Sequence, residues 1–270
     1  MDFKSFLNSL FYSSDLVIFM SIFGVYVSIA LIITLIIYTP RLKGFFSSFE
    51  GINGTFYSPA ASMFALLAAF MGSTLGAGFS AHTDSINKER AAVLLYVDFI
   101  NHTPLLANQN LQYQVKQYLQ SALEEEWPNL EHEKISRNTG VLFQEIYLKT
   151  IKIAPALDGT QAGRELTKIL DSWYDARAKR LSYRWKQVEH LRWAVLITVA
   201  FLLQLSVAVT HISSSRRVMG LSLGITTALI VSVMTPLALN VNHYSGLLQV
   251  SKMPLNEVYE ILSEQFTDDR

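Results

Sequence analysis

The chain lacks cysteine altogether, and only 16% of its 270 residues are charged. Without thiols it can be neither a disulfide scaffold nor a cysteine-ligated metal protein, and thiol nucleophiles are excluded with them. Its 22 basic residues balance its 22 acidic ones, giving a formal charge of zero. That is the wrong electrostatics for a nucleic-acid binder, so no nucleic acid is expected as a partner.

The shortage of charge is local. Four stretches contain no Asp, Glu, Lys or Arg: Leu16–Tyr38, Pro59–Ala81, Trp193–Ile212 and Val218–Val241. Together they hold 90 residues, so all the charges fall in the other 180, close to the roughly 25% of a soluble domain. Each run is about 20 residues or longer, the length of helix that crosses a hydrocarbon core roughly 30 Å thick. The predicted fold class is an all-α integral membrane protein with four transmembrane helices. The first run reads as a span rather than a cleaved signal, being too long for a signal core and without a small-residue cleavage site.

The organisation predicted is an interfacial amphipathic helix over residues 1–15, a span pair over 16–81, a helical domain over 82–190, a second span pair over 191–241 and a tail over 242–270. Phe3, Phe6, Leu7, Leu10 and Phe11 give the first segment its apolar face. Thr39-Pro40 closes the first span, and Ser58-Pro59 opens the second as N-cap and first helical residue. Four stripes of period 3.6 follow, with no two-residue alternation. Ile86, Val93, Val97 and Ile100 continue the second span; Leu111, Val115, Tyr118 and Ala122 stop at Trp127-Pro128; Phe143, Ile146, Tyr147 and Ile151 stop at Pro155. The last stripe, Leu166 to Val188, runs straight into the third span.

An even number of spans puts both termini and the helical domain on one side. That side has Lys4, Lys88, Arg90, Arg177, Lys179, Arg180, Arg184, Lys186, Arg192 and Lys252 near span ends, against Arg41, Lys43, Arg216 and Arg217 opposite. The excess predicts cytoplasmic termini and a cytoplasmic domain.

Ser62, Ala65, Ala69, Ser73, Gly76 and Ser80 recur at three- and four-residue steps along the second span, so they share one helical face. Thr83 and Asn87 extend it. Such a face in lipid has two readings: close packing against another helix, or a wall facing water around an axis. The bulky side, with Phe64 and Phe70, is the candidate for an apolar constriction that gates by dewetting. No ionisable residue but the flanking His211 lies in the other spans, which argues against a coupled pump and suits passive permeation of small ions.

Catalysis has no foothold. Glu124-Glu125-Glu126, Glu131, His132 and Glu133 form an acidic patch around Trp127-Pro128; a solvated acidic face is preferred there over a metal site. A membrane enzyme would need Glu126, Glu131, His132 and Glu133 to cluster. Asp175 and Lys179 read as a surface pair on one helix. No phosphate loop, zincin helix or nucleophile elbow is present, and no cofactor is expected.

Three local patterns carry a resemblance. They are Glu126-Trp127-Pro128 and Asp175-Ala176-Arg177-Ala178-Lys179-Arg180-Leu181, in a block with two spans before it and two after, and Asn242-His243-Tyr244-Ser245-Gly246 just after the fourth span. With this order the chain resembles the bestrophin-like family of prokaryotic membrane proteins over roughly residues 59–262. The third pattern departs from the family's usual Asp-Arg-Pro-Phe-x-Gly, keeping only Gly246 and an aromatic at Tyr244. By kinship with bestrophins, the resemblance implies a homo-oligomer, pentameric on that pattern, in a bacterial inner (plasma) membrane. It implies passive conduction, of anions rather than cations, through an axial pore lined by the second span. From the residues alone, Trp127-Pro128 can simply end a helix and bury an indole, and Arg177 and Arg180 can meet lipid head groups or partner carboxylates. The competing class is a non-conducting membrane scaffold or sensor whose helical domain binds a partner protein.

Overall fold

A computed structural model describes residues 10, 13–39, 51, 52, 54–103, 110–132, 134–157, 159–183, 190–244 and 246–268. The interfacial helix expected over residues 1–15 falls almost wholly outside them, as do Pro40, Pro104, Glu133, Trp185 and Val188. The described residues are helical throughout their regular structure, in the order α1 (Asp15–Tyr38), α2 (Ser58–His102), α3 (Leu111–Ser121), a π-helical turn (Ala122–Glu126), α4 (Trp127–Glu131), α5 (Arg137–Ile153), a 3₁₀ turn (Ala154–Leu157), α6 (Gln161–Ser182), α7 (His190–Thr210), α8 (Arg216–Leu239) and α9 (Met253–Asp268). Of these, α1, α2, α7 and α8 are long and apolar enough to cross a membrane.

The chain divides into two compact units. The first holds α1, the start of α2, α7 and α8. Its core comes from one face of each helix: Ile18, Ile22, Tyr26 and Ile33 on α1; Phe64, Ala68 and Met71 on α2; Leu196, Ala200 and Leu203 on α7; Met219, Leu223, Ile230 and Met234 on α8. The opposite faces carry exposed Leu16, Leu35, Leu191 and Leu221. Apolar residues both inside and outside are what a unit solvated by lipid requires. Local signals match the ends: the Ser215 hydroxyl accepts from the Val218 N–H at 3.4 Å to cap α8, and Arg216 lies 4.8 Å over the Tyr38 ring.

One polar side chain knits this core. Gln204 of α7 donates to the Tyr26 carbonyl of α1 at 3.2 Å and to the Thr227 hydroxyl of α8 at 2.8 Å. Hydrogen bonds between membrane helices average about 0.6 kcal/mol, and Thr227 can turn back to its own helix. Gln204→Leu is therefore expected to cost no more than about 1 kcal/mol, read as a small shift in unfolding in mixed micelles.

The second unit holds the rest of α2 and the elements α3 to α6, together with α9. Helix α2 runs 45 residues without a break. At about 1.5 Å per residue it exceeds twice the thickness of a hydrocarbon core. The core gathers Ile86, Val93 and Tyr96, then Leu119, Trp127, Ile146, Leu166 and Trp173, with Leu255, Val258 and Leu262 from α9. The predicted tail thus contains a helix, which packs along α3. Capping follows the sequence: Ser136 accepts from the Thr139 N–H at the start of α5, and Thr160 from the Gly163 N–H at the start of α6.

Trp127-Pro128 does not end the second helical stretch. The chain stays helical from α3 through the π turn into α4, with the Trp127 N–H reaching the Ala122 carbonyl. Proline in a regular helix loses one bond and crowds the carbonyl four residues back. The wider π turn relieves that crowding, so proline marks a local rewinding instead of a stop.

Candidate functional site

On α2, Ser62, Ala65, Ala69, Ser73 and Ser80 are exposed and Gly76 is half-buried. The small-residue face is not consumed by packing within the protomer. Thr83 is half-buried and Asn87 exposed beyond it.

The two phenylalanines part company. Phe64 is 6% exposed, packed with Ala68 and Met71 in the first unit's core, whereas Phe70 is 63% exposed. The constriction expected of Phe64 is corrected: its side chain is already held inside its own protomer. At about 100° per residue, Phe70 lies roughly a quarter-turn from the small-residue face. Neither ring shares that face.

In the second unit four of the family-motif residues, Glu126, Trp127, Arg177 and Arg180, converge in a buried cluster. Arg180 of α6 donates through Nε to Glu89 Oε2 at 2.5 Å, and through Nη2 to Glu89 Oε1 at 3.2 Å and Glu126 Oε1 at 2.9 Å. Arg177, one turn earlier, reaches Glu126 Oε2 at 2.5 Å. The Tyr118 hydroxyl of α3 donates to Glu89 at 2.5 Å, and the Tyr244 hydroxyl donates to the Arg180 carbonyl at 2.7 Å. Two carboxylates thus meet two guanidiniums, and the cluster is formally neutral. Glu89, Glu126 and Arg180 are all 0% exposed.

Aromatic rings seal it. Trp173 has the rings of Tyr96, Tyr118 and Phe143 each 5.3 Å away, and Arg177 lies 5.2 Å over Phe143 and 5.7 Å over Tyr118. Trp127 packs edge-on to Tyr244 at 5.5 Å, and Arg180 lies 5.9 Å over Trp127. Burial alone would lower the pKa of Arg180, but the charges of Glu89 and Glu126 outweigh it and hold the guanidinium well above its ordinary value. Burial pushes the Tyr118 phenol well above its usual range, with the Glu89 charge adding to it.

One expectation is overturned here, and one pair of alternatives is decided in favour of carboxylate partners. Glu126 is not part of a solvated acidic face: the π turn leaves Glu124 and Glu125 outside and turns Glu126 inward onto the arginines. It is therefore not available to Glu131, which is half-buried, or His132, which is exposed. Among the described residues no group of three or more His, Asp or Glu is placed to hold a metal. Arg177 and Arg180 do not face lipid head groups, since their partners are carboxylates of their own chain. Asp175 is exposed and Pro128 lies on the surface, outside the cluster.

Glu89 is the member that motif reading missed. The signal was present, because Glu89 interrupts the apolar stripe Ile86, Val93, Val97 at a stripe position. A lone acid on a buried face must find a partner.

Gly246, the surviving letter of the third pattern, has φ +87°. A Cβ there would collide with the Asp15 carboxylate, whose Oδ2 accepts from the Leu247 N–H at 2.7 Å. Both the left-handed backbone and the close approach call for glycine. The carboxylate of the first residue of α1 thereby ties down the segment after α8.

The order of spans and the converging motif residues now stand together, and the sequence model of the bestrophin-like domain matches residues 24–255. The chain belongs to the bestrophin-like family. Neither the curated proteins nor the solved structures offer a match. Membership of the bestrophin-like family makes it a membrane protein of channel-type kinship, and the cluster explains three of its motif letters at once. Glu126, Arg177 and Arg180 are one ionic unit, and Trp127 roofs it.

Proposed function

We propose that this bestrophin-like protein is an oligomeric channel, passing small ions passively along an axis that the small-residue face of α2 surrounds. The observation that carries the reading is the exposure of Ser62, Ala65, Ala69 and Ser73 in the protomer. A face of small and hydroxylic side chains, left unused by the chain's own helices, suits a water-facing wall or the close approach of identical helices around one. The lack of Asp, Glu, Lys and Arg in the four uncharged runs suits passive flow, and kinship with bestrophins favours anions and a pentamer. The second unit then lies on the cytoplasmic side with both termini. Arg177 and Arg180 drop out of the charge count that supports this orientation, being neutralised inside the cluster, and the remaining basic residues still outnumber those opposite. The membrane is the bacterial plasma membrane.

The natural absence of cysteine makes the test direct. Ser73→Cys supplies a unique thiol, and the purified protein is recorded in planar bilayers in chloride salts. The expected result is a steady current that a charged thiol reagent reduces in Ser73→Cys and leaves unchanged in the parent. No current in chloride or potassium salts, at any voltage, would sink the channel reading.

One observation favours a scaffold instead. Val141, Leu148 and Ile151 leave an exposed apolar edge along α5 in the second unit. A partner protein captured by that edge, together with silent bilayers, would move the assignment there.

A further inference from the structure

His82 serves neither the ion cluster nor the small-residue face. It is the first residue of α2 beyond the uncharged run Pro59–Ala81, and its side chain is fully buried. Neither ring nitrogen has a hydrogen-bond partner among the described residues. Rings from the second unit enclose it: Tyr183, just past α6, stacks on it at 4.7 Å, and Tyr244 and His243, after α8, lie 4.8 Å and 5.5 Å away. Burial first, and then the charges of His243 and Arg180, hold its pKa down to about 3, so the imidazole is neutral. A neutral imidazole carries one N–H and one bare nitrogen, and buried polar groups are almost always paired.

A second unpaired group belongs to the ion cluster itself. Arg180 spends Nε and Nη2 on Glu89 and Glu126, but its Nη1, equally buried, has no acceptor among the described residues. Tyr244 links the two residues, with its ring edge-on to His82 and its hydroxyl on the Arg180 carbonyl at 2.7 Å. The register of α2 points the same way. His82 and Glu89 stand seven residues apart and share a face, about 10 Å from each other along the axis. One guanidinium does not span that distance, and a single small molecule makes up the difference.

Charge balance selects the molecule. Glu89 and Glu126 already compensate Arg177 and Arg180, so an anion would leave a net charge in the interior. A metal cation would meet the charge of Arg180. What fits is a neutral molecule that accepts from a guanidinium N–H and donates to an imidazole nitrogen. Water does both, and buried waters commonly bridge groups of this kind.

We infer that an ordered water is held between Arg180 Nη1 and the bare ring nitrogen of His82, which adds His82 to the ionic unit of Glu89, Glu126, Arg177 and Arg180. His82 is then a positioning residue: through the water it ties α2 to α6 two turns before Glu89 does so directly.

The sign of one substitution tests this. With the ring nitrogens unpaired, His82→Phe would keep a ring in place, relieve two buried polar atoms and leave stability unchanged or raised. With the water, the same change removes a hydrogen bond and strands Arg180 Nη1. The folding equilibrium constant of the full chain, read by chemical unfolding in detergent, is therefore expected to fall by roughly tenfold. In the combined Glu89→Gln and Arg180→Met protein, where the water has lost its donor, His82→Phe should cost little. A cost from the larger ring alone would persist there. A map of the parent protein that resolves ordered waters gives a readout independent of variant folding, with a peak expected within about 3.2 Å of both Arg180 Nη1 and a His82 nitrogen. No peak there, a His82→Phe protein as stable as the parent, or an equal cost in both backgrounds would each overturn the inference. So would a peak about 2.1 Å from the imidazole nitrogen, which would be a metal ion. None of these outcomes depends on whether the protein conducts.

Discussion

Arg180→Met is expected to destabilise the protein by roughly 3–5 kcal/mol, the usual cost of removing one partner from a buried ion pair. The side chain is fully buried and serves two carboxylates, so its loss strands Glu89 and Glu126 where water cannot reach them. The sign follows from desolvation, not from the attraction lost, since an unpaired buried charge is far costlier than an apolar substitute. Arg177→Met is expected to cost less, because Arg177 keeps some exposure and holds Glu126 alone, which Arg180 still serves. A second variant separates charge from packing. Glu89→Gln combined with Arg180→Met removes one charge of each sign and should recover part of the loss. Chemical unfolding of the detergent-solubilised protein reads all three. Arg180→Met as stable as the parent would show that the cluster is not what holds the second unit together.

The contrast between what was legible in the sequence and what was not follows from range. The four spans were written in local composition: the uncharged run Leu16–Tyr38 became Asp15–Tyr38, and Val218–Val241 became Arg216–Leu239. The continuity of α2 was equally local, since no proline falls between Pro59 and Pro104 to stop the helix. The cluster was not local. Glu89 and Arg180 are 91 residues apart, and Glu126 and Arg177 are 51 apart, so no periodicity links them. The glutamate run misled for another reason. Three consecutive acids look solvated under regular helical geometry, but the π turn adds a residue to the winding, and only Glu126 comes round to face the arginines. Proline, the signal read as a stop, sits just after that rewinding. The small-residue face was legible as a face, yet sequence could not say whether the protomer would use it. Its exposure in the folded chain is what turns it into a candidate for an oligomeric axis.

Trp173→Ala is expected to be comparably damaging, at about 3–5 kcal/mol, as for other large-to-small changes at aromatic core positions. Trp173 is fully buried, with three aromatic rings each 5.3 Å from its own. No single neighbour can collapse into the space it would leave. Trp173→Phe keeps ring contact with Tyr96, Tyr118 and Phe143 and should restore more than half of the loss. The more informative result is the interaction between this site and the ion cluster. Tyr118 belongs to both, packing on Trp173 while donating to Glu89, and Phe143 packs on Trp173 while lying beneath Arg177. A cavity at Trp173 frees these rings and loosens the hydrogen bond and the cation–π contacts that they make. The combined Trp173→Ala and Arg180→Met protein should then be less destabilised than the two single effects added, by roughly 0.5–3 kcal/mol in a double-mutant cycle. Strict additivity would mean that the aromatic box and the ion cluster are independent. Coupling would mean that the motif letters Trp127, Arg177 and Arg180 are kept together because they belong to one packed unit, which Glu89 of the long helix α2 enters from within its own apolar stripe.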